Sequence, residues 1–404
     1  MALIKKTFAF TKDRLSLEVT INPRIKMPID KISLGNKLRR CRENLNLDLS
    51  EVAKKVGFLS TRFQMIENGV IEPTGDEILI LADFYKQDFK YFISNEKLSS
   101  SEQVEVFYRK FGDEFSKEDR FAIQEFMFLC ENEELIEGIN LKKSFNITIS
   151  TSKGISKEQG VEAAKKLRSF LGYSGKQIYK DIYSEFRKIG IHVFRRKLSN
   201  TKISGLFIKH PIAGKCILVN YSDDIYRQNF TIAHEVAHAL LDNDIEYNLS
   251  FKKEEADYRE YRANAFASSF LVPEEAFDTS NKIEWTDSLI IDIANKLKVN
   301  IQTLLIALSN YKKISESEYK RFLKLKVPVC IKEDFELRNL TEKRIKDRKQ
   351  IVEKGLSDYY INKCYLAYTN GNISAGKLAE ILLIRDSELP ELLDIFNLKL
   401  RYDN

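Results

Sequence analysis

The amino-acid sequence predicts a helix-dominated α+β protein with at least two independent units. Helical periodicity runs through residues 33–93 and returns in the last third of the chain, after Trp285. Between these regions lies a stretch with the composition of short strands. The order helices, strands, helices is typical of α+β folds rather than of alternating α/β folds. With 404 residues, the chain is also too long for one ordinary hydrophobic core.

Polar linkers and changes of pattern divide the chain into five segments. The expected boundaries are residues 1–30, 31–98, 99–150, 151–280 and 281–404. The first segment alternates apolar and charged residues and closes at Pro28, which predicts short strands and a linker. Residues 99–101 and 150–154 are polar and predict hinges. The segment that begins at residue 99 should be a helical connector, in which Ser116 and Asp119 mark a helix start.

The fourth segment should combine a small sheet with helices. Its predicted strands are Ile191–Phe194, Gly205–Ile208 and Cys216–Val219. Its predicted helices are Gln159–Leu171, Gln177–Lys188, Asn229–Leu241 and Glu254–Leu271. In the C-terminal segment, two helical patterns at 289–297 and 301–308 either line a cleft or serve plain packing. Lys332–Lys354 is dense in charge and predicts a solvated helix face.

The composition predicts a cytoplasmic protein. The five cysteines are scattered without a CxxC pair, which is typical of reduced thiols rather than of a disulfide framework. No apolar run approaches the roughly 18 residues that cross a bilayer, and the N-terminus lacks a signal-peptide pattern, so we expect no membrane contact. The formal net charge of +6 permits nucleic-acid binding without arguing strongly for it.

An HExxH sequence at residues 234–238 carries the strongest chemical signal. Residues four apart share one face of a helix, so His234 and His238 can bind the same metal ion. Glu235 is then rotated toward a water in the open position of the metal, where it can act as the catalytic base. The plain alternative is a solvated histidine pair on a surface helix. His192 and His210 are more typical of packed or surface histidines than of ligands.

A catalytic zinc site needs a third protein ligand. The residues alone favour Glu260 only modestly, because the alanines that follow it let its helix approach the HExxH helix closely. Glu254, Glu255 and Asp257 are competing carboxylates. The residue that stabilises the reacting carbonyl could be Tyr247, Tyr258, Tyr261 or an arginine, and the sequence does not distinguish between them.

Several of these motifs resemble the ImmA/IrrE family of metallopeptidases over roughly residues 160–275. The similar segments are ILVN at 217–220, QNFTIAHEVAHALL at 228–241, the ExxAN pattern from Glu260 to Asn264, and FLVP at 270–273. The resemblance implies a zincin-like zinc endopeptidase, in which Glu260 is the third ligand. Position 262 is often acidic in relatives and is Arg262 here.

The N-terminal helical unit resembles the Cro/phage-repressor class of helix-turn-helix domains. The resemblance rests on VAKKVG at 52–57, IENG at 66–69, and Pro73. It implies that a third helix, beginning near Leu59, enters the major groove of double-stranded DNA. The residues expected to face DNA bases are Ser60, Thr61, Arg62 and Gln64, and those expected at phosphates are Lys37, Arg39, Arg40 and Arg42. Leu49 replaces the glutamine common in that class, and the alternative is a protein-docking or dimerisation module.

The two resemblances together predict a zinc endopeptidase fused to a five-helix helix-turn-helix domain. The expected substrate is a transcriptional repressor, whose cleavage would switch on a stress or mobile-element programme. The alternative is a DNA-binding regulator whose metal site is structural or sensory. Either protein could act as a homodimer.

Overall fold

The computed structural model describes residues 29–94, 107–108, 111–139, 149, 156–173, 176–179, 181–242, 247–251, 257–277 and 283–400. Within these residues the chain forms 17 α-helices and one four-stranded sheet. This composition confirms the predicted helix-dominated α+β class. The strands and linker expected in residues 1–28, and the hinges expected at 99–101 and 150–154, lie outside the described residues.

The N-terminal unit consists of five short helices around a core of its own, as predicted. They are α1 (Lys31–Asn44), α2 (Leu49–Val56), α3 (Ser60–Glu67), α4 (Gly75–Tyr85) and α5 (Phe89–Ile93). Polar caps fix where they begin: the Asp30 carboxylate accepts from the backbone at the start of α1, and the Thr74 hydroxyl does so for α4. Phe63 and Ile66 of α3 are completely buried against Leu38 of α1 and its neighbours.

A long helix, α6 (Lys117–Ile139), connects this unit to the rest of the protein. Ser116 accepts a hydrogen bond from the backbone N–H of Asp119 at 3.1 Å, which confirms the predicted helix start. Lys117 pairs with Glu51 of α2 at 2.8 Å, and Arg120 donates to the carbonyl of Asn44 at 2.6 Å. Phe121 of α6 also packs against Phe84 of α4, so the five-helix unit is attached to the start of α6 through both polar and apolar contacts.

The sheet has the order β1–β3–β2–β4. Its strands are β1 (Ile191–Arg196), β2 (Ile203–His210), β3 (Gly214–Asn220) and β4 (Tyr247–Phe251). β3 runs parallel to β1 and antiparallel to β2, and β2 pairs with the edge strand β4 in antiparallel register, Leu206 opposite Leu249. The three predicted strands are confirmed with longer bounds. β4 was not predicted, although its Tyr-Asn-Leu-Ser-Phe sequence alternates in the way of a half-buried strand.

Both faces of the sheet are covered, so β1 to β3 are buried along most of their length. One face packs on α7 (Lys157–Phe170), α8 (Ile182–Arg187), α9 (Ile225–Leu241), α10 (Tyr258–Leu271), α11 (Asp287–Leu297), α12 (Ile301–Asn310) and α13 (Glu316–Phe322). The other face packs on α6, α14 (Glu342–Glu353), α15 (Asp358–Thr369), α16 (Ala375–Ile381) and α17 (Leu389–Ile395). The connector and the C-terminal helices thus share one core.

Two sequence expectations hold only in part. The helix expected over Gln177–Lys188 is limited to α8, because the Asp181 carboxylate caps the backbone at Tyr183 and begins the helix there. The solvated helix face expected within Lys332–Lys354 is present on α14, but the segment also has buried charged residues. Arg348 and Glu336 are buried, and Glu336 pairs with Arg195 of β1 at 3.4 Å, because this segment closes over the end of the sheet.

A close helix contact positions α10. The Cα of Gly160 in α7 lies so near α10 that a β-carbon there would be 2.2 Å from the carbonyl oxygen of Arg262 and 2.9 Å from the nitrogen of Phe266. Only glycine permits this approach. The contact fixes α10 against α7 and so fixes the residues that α10 presents to α9.

A buried ionic cluster joins the sheet to α6 and α15. His192 of β1 contacts Glu133 at 2.9 Å and Glu134 at 3.2 Å, and Lys363 of α15 lies 3.4 Å from Glu133. Burial lowers the pKa of His192, but the bonds to Glu133 and Glu134 outweigh it and raise that pKa to about 11. Burial raises the pKa of Glu133, but its bond to His192 outweighs it and lowers that pKa to about 2. His192 is thus a packed ionic residue.

This cluster predicts a pH dependence of stability. The raised pKa of His192 gives a contribution that is complete below pH 6.5, the ordinary value, and is lost as pH rises toward about 11. The lowered pKa of Glu133 gives a contribution that is complete above pH 4.5 and is lost as pH falls toward about 2. We expect the difference in unfolding free energy between wild type and His192→Gln to be largest between these values. It should shrink above neutral pH by at most about 1.4 kcal/mol per pH unit.

Urea unfolding at mildly acidic, neutral and alkaline pH measures this difference. Lys166→Gln is a suitable control, because Lys166 lies exposed on α7, where it pairs with Glu162 one turn away. A difference that stays constant with pH for His192→Gln would contradict the assignment of a charged histidine.

Candidate metal centre

The helix α9 carries the HExxH residues through the interior of the domain. It begins at Ile225, one turn earlier than predicted, because the Asp224 carboxylate accepts from the backbone of Tyr226 and Arg227. Nearly every residue of α9 after this first turn is buried. Polar side chains on such a helix need partners inside the protein. The plain alternative of a solvated histidine pair on a surface helix is therefore wrong.

Three side chains converge at the middle of this helix. The Nε2 atoms of His234 and His238 lie 3.1 Å apart. The two carboxylate oxygens of Glu260, on α10, lie 3.0 Å from the Nε2 of His234 and 3.3 Å from that of His238. All three ligand atoms are within 4.8 Å of one another, and this is the one such group of three or more His, Cys, Asp or Glu in the described residues.

A second layer of polar residues orients both imidazoles. The Nδ1 of His234 lies 3.0 Å from Oδ1 of Asn264, and the Nδ1 of His238 lies 2.7 Å from Oδ2 of Asp242. Because these oxygens only accept, each Nδ1 carries the proton and each Nε2 faces Glu260. Arg262 in turn donates to the other oxygen of Asp242, and both of these side chains are buried. Arg262 therefore supports the candidate centre indirectly, through Asp242 and its contact with His238.

These residues fit a divalent metal ion such as zinc. With both Nδ1 atoms protonated, neutral imidazoles bring two Nε2 lone pairs and a carboxylate together within hydrogen-bonding distance. Such an arrangement of acceptors is repulsive unless protons or a cation lie between them. Two histidines and one carboxylate are also a known ligand set of catalytic zinc sites, which keep one position open.

The pKa values of His238 and Glu260 depend on their hydrogen bonds to neighbouring side chains. Burial lowers the pKa of His238, but the hydrogen bonds to Asp242 and Glu260 outweigh it and raise the pKa to about 10. Burial raises the pKa of Glu260, yet the bonds to His234 and His238 leave that pKa well below its ordinary value. Without a metal, the cluster therefore stabilises itself by holding a proton in place of the cation.

Glu235 lies beside this cluster in a different environment. It is completely buried, and neither carboxylate oxygen forms a hydrogen bond of normal geometry among the described residues, although the Ser250 hydroxyl of β4 lies close enough to favour the ionised form. Burial raises its pKa to about 7. It is accommodated next to Gly205 of β2, where a β-carbon would lie 2.6 Å from the side chain of Thr231 and 3.3 Å from Oε1 of Glu235. A buried carboxyl with a pKa raised in this way is typical of a group that exchanges protons in a reaction.

A cavity of about 690 Å³ opens from His234 along α9. Its described lining residues come from four helices and two strands. They are Ser156 and Lys157 (α7 and its cap), Ser204 (β2), Arg227, Phe230, Thr231 and His234 (α9), Ser250 (β4), Tyr258, Tyr261, Asn264, Ala265 and Ser268 (α10), and Gln302, Thr303, Ile306 and Asn310 (α12). The helix α12 therefore lines the cleft and also contributes to packing.

The structure separates the other candidates for this site. Tyr247 packs against Phe107 and Phe111 on the far face of the sheet, whereas Tyr258 and Tyr261 line the cavity. Asp257 accepts from the backbone of Arg259 and caps α10. Glu254 and Glu255 lie outside the described residues. Among the tyrosines, the choice of a residue that stabilises the reacting carbonyl is thus reduced to Tyr258 and Tyr261.

The residues expected at DNA fall into two groups. Ser60, Thr61, Gln64 and Arg40 are exposed. Arg62 makes two hydrogen bonds to Glu77, and Arg39 donates to Asn68.

Two of the cations expected at phosphates have structural partners instead. Lys37 is buried and donates to the carbonyls of Tyr91 and Ser94, and Arg42 pairs with the buried Glu67. Over residues 29–94 the formal charges also cancel, with ten basic and ten acidic side chains. Of the residues expected at DNA, the exposed ones, Ser60, Thr61, Gln64 and Arg40, therefore remain accessible for contact with DNA.

None of the described helices combines the length and apolar character needed to cross a membrane.

Comparison with known proteins agrees with the geometry of the centre. A search of curated proteins found no match. Residues 186–309 match the family model described as the IrrE N-terminal-like domain, a peptidase family. The matched segment holds the sheet from β1 to β4, the three converging side chains, and helices α11 and α12, and it continues past the boundary expected at residue 280. The match supports the resemblance to the ImmA/IrrE family and indicates a metallopeptidase domain in this part of the chain.

Proposed function

We propose that this protein is a zinc-dependent endopeptidase. The observation that carries the proposal is the convergence of His234, His238 and Glu260 beside the buried carboxyl of Glu235. The first three would hold zinc, and Glu235 would act as the catalytic carboxylate. The cavity that opens from His234 has a volume of about 690 Å³, which is large enough to accept more than a single small group.

Zinc, when bound, would supply a Lewis acid for the scissile carbonyl and make water a nucleophile near neutral pH. The residues of the chain would provide the proton transfers. An Oε atom of Glu235 accepts the proton of the attacking water and then delivers it to the leaving amine. Because no described residue holds the Glu235 carboxylate in an ion pair or a hydrogen bond of normal geometry, its proton can move between these two groups. Asn264 and Asp242 keep the imidazoles of His234 and His238 oriented throughout.

The substrate we propose is a transcriptional repressor in the cytoplasm, as the resemblance to the ImmA/IrrE family implies. Cleavage of the repressor would switch on a stress or mobile-element programme. The five-helix unit, as a helix-turn-helix domain of the Cro/phage-repressor class, would bring the peptidase to DNA or to a partner, and the protein could act as a homodimer. Exposed Ser60, Thr61 and Gln64 support this part of the proposal.

A second candidate is a DNA-binding regulator whose metal site is structural or sensory. The same exposed residues on α3 support it, because they leave a polar helix face available for the major groove. The pairing of Arg62 with Glu77 and the balanced charge of residues 29–94 weigh against strong DNA binding.

Metal content and cleavage test the proposal directly. Protein purified without a histidine tag should contain about one zinc per chain, and both His234→Ala and Glu260→Ala should lose it. Glu235→Gln should retain the zinc but lose peptide cleavage about 10²- to 10⁴-fold, because only the proton transfer is removed. Inductively coupled plasma mass spectrometry and a peptide-library digest measure the two properties. A Glu235→Gln variant as active as wild type would sink the peptidase proposal, and a metal-free wild type would favour the regulator.

The supporting pair Asp242–Arg262 predicts a change of metal affinity. Arg262→Gln leaves the Asp242 carboxylate without its charged partner, so the imidazole of His238 is held less firmly. We expect the affinity for zinc to fall about 10- to 100-fold, measured by competition with a fluorescent chelator. Arg259→Gln, at the exposed start of the same helix, is the matched control and should leave the affinity unchanged. Equal affinities in both variants would show that Arg262 serves packing alone.

DNA binding by the N-terminal unit can be tested by selection from random duplex DNA with the full-length protein. Gln64→Ala should relax the preference for one base pair, at a cost of about 1–3 kcal/mol for the selected sequence. Arg40→Ala should weaken binding to all sequences and reduce the salt dependence by about one ion. If no sequence is enriched at low salt, the unit serves as a docking or dimerisation module.

A further inference from the structure

The cavity beside the candidate metal centre has an uneven charge distribution. Among its described lining residues, the Lys, Arg, Asp and Glu side chains are Lys157 and Arg227, so the fixed charges on its walls are both positive. Lys157 is held at the α7 wall by a hydrogen bond from Nζ to Asn310 of α12, at 2.8 Å. Arg227 also lines the cavity and lies on the same helix as His234.

Arg227 is held in position without being neutralised. Its guanidinium donates one hydrogen bond to Ser204 of β2 at 3.2 Å and lies 5.7 Å from the ring centre of Phe230. No carboxylate of the described residues forms an ion pair with it. A guanidinium has five N–H groups in a planar fork that matches a carboxylate, and most of these remain available. The side chain is therefore oriented in advance to receive an acidic group.

The place of Arg227 in α9 is unfavourable for the helix itself. It is the third residue after the Asp224 cap, in the first turn, where the helix dipole disfavours a positive charge. Glutamate or glutamine would suit this position better. The arginine is thus not explained by helix formation, and the same reasoning means that Arg227→Gln or Arg227→Glu should leave the fold intact.

The distance from Arg227 to the metal ligands sets the position of the group it would bind. Residues 227 and 234 are seven apart, so they share one face of α9 and lie about 10.5 Å apart along its axis. Phe230 and Thr231 lie between them and also line the cavity. An extended peptide advances about 3.3 Å per residue, so this span corresponds to about three residues.

Taking the proposed peptidase function as given, we propose that Arg227 determines substrate specificity by binding an aspartate or glutamate of the substrate about three residues from the scissile bond. The substrate class is therefore a peptide segment with an acidic side chain on the side that lies along the first two turns of α9. Phe230 forms an apolar contact between this position and the cleavage point. Arg227 acts on substrate binding and not on the proton transfers of Glu235.

The test uses zinc-loaded full-length protein and a set of fluorescent decapeptides in a fixed neutral background, with Glu or Gln at one position at a time. We expect wild type to prefer Glu over Gln by about 10-fold or more in kcat/KM at one position, about three residues from the cut. Arg227→Gln should bring this ratio close to one by raising KM for the Glu peptide. Arg227→Glu should prefer Lys at the same position. Arg321→Gln, an exposed arginine on α13 outside the cavity, should keep the wild-type preference.

A binding measurement separates this inference from the peptidase function. Fluorescence anisotropy with the same peptides and the Glu235→Gln protein reports affinity without cleavage. Cleavage with an acidic preference that persists in Arg227→Gln overturns the specificity inference and leaves the peptidase function standing. Arg227-dependent binding of acidic peptides without any cleavage by wild type supports the inference for binding and overturns the peptidase function. Absence of both cleavage and binding overturns both.

Discussion

The burial of α9 is the constraint on which the rest of the site depends. Most of its surface lies inside the domain, yet it carries two imidazoles and a carboxyl that are each less than 4% exposed. Unpartnered polar groups are costly in such a place, so each imidazole needs two partners, one at each nitrogen. Asn264 and Asp242 satisfy the Nδ1 side, and Glu260 faces the Nε2 side. The same burial raises the pKa of Glu235.

Packing around α9 explains why several distant residues bear on the chemistry. The close contact at Gly160 places α10 against α7, and α10 supplies Glu260, Arg262 and Asn264. The absence of a side chain at Gly205 makes room for Glu235 beside β2. The metal centre is thus held by contacts among α7, α9, α10 and β2. Gly160 and Gly205 allow these elements to approach closely. Asn264 and Asp242 then fix the orientation of the two imidazoles.

The second face of the sheet is organised by polar contacts of a different kind. The cluster of His192, Glu133 and Lys363 joins β1, α6 and α15 through buried ion pairs. Its charges are neutralised within the cluster, whereas the cavity at the metal centre keeps Arg227 uncompensated by any described carboxylate. Burial with partners gives a structural group in the first case. At the cavity, by contrast, Arg227 is oriented without a carboxylate partner among the described residues, which makes it a candidate functional group.

The sequence by itself determined the local features of this protein. The five N-terminal helices, three of the four strands and the HExxH helix follow from hydrophobic period and from caps, which act over a few residues. The pair His234 and His238 is likewise local, since both are on one helix. The tertiary structure decided what depends on distant contacts. It brought Glu260 to the two histidines, placed Arg262 beside Asp242, added β4 to the sheet, and placed Arg227 in the cavity. These outcomes depend on how α7, α9 and α10 pack against one another. Hydrophobic periodicity describes single helices and strands and does not specify that packing.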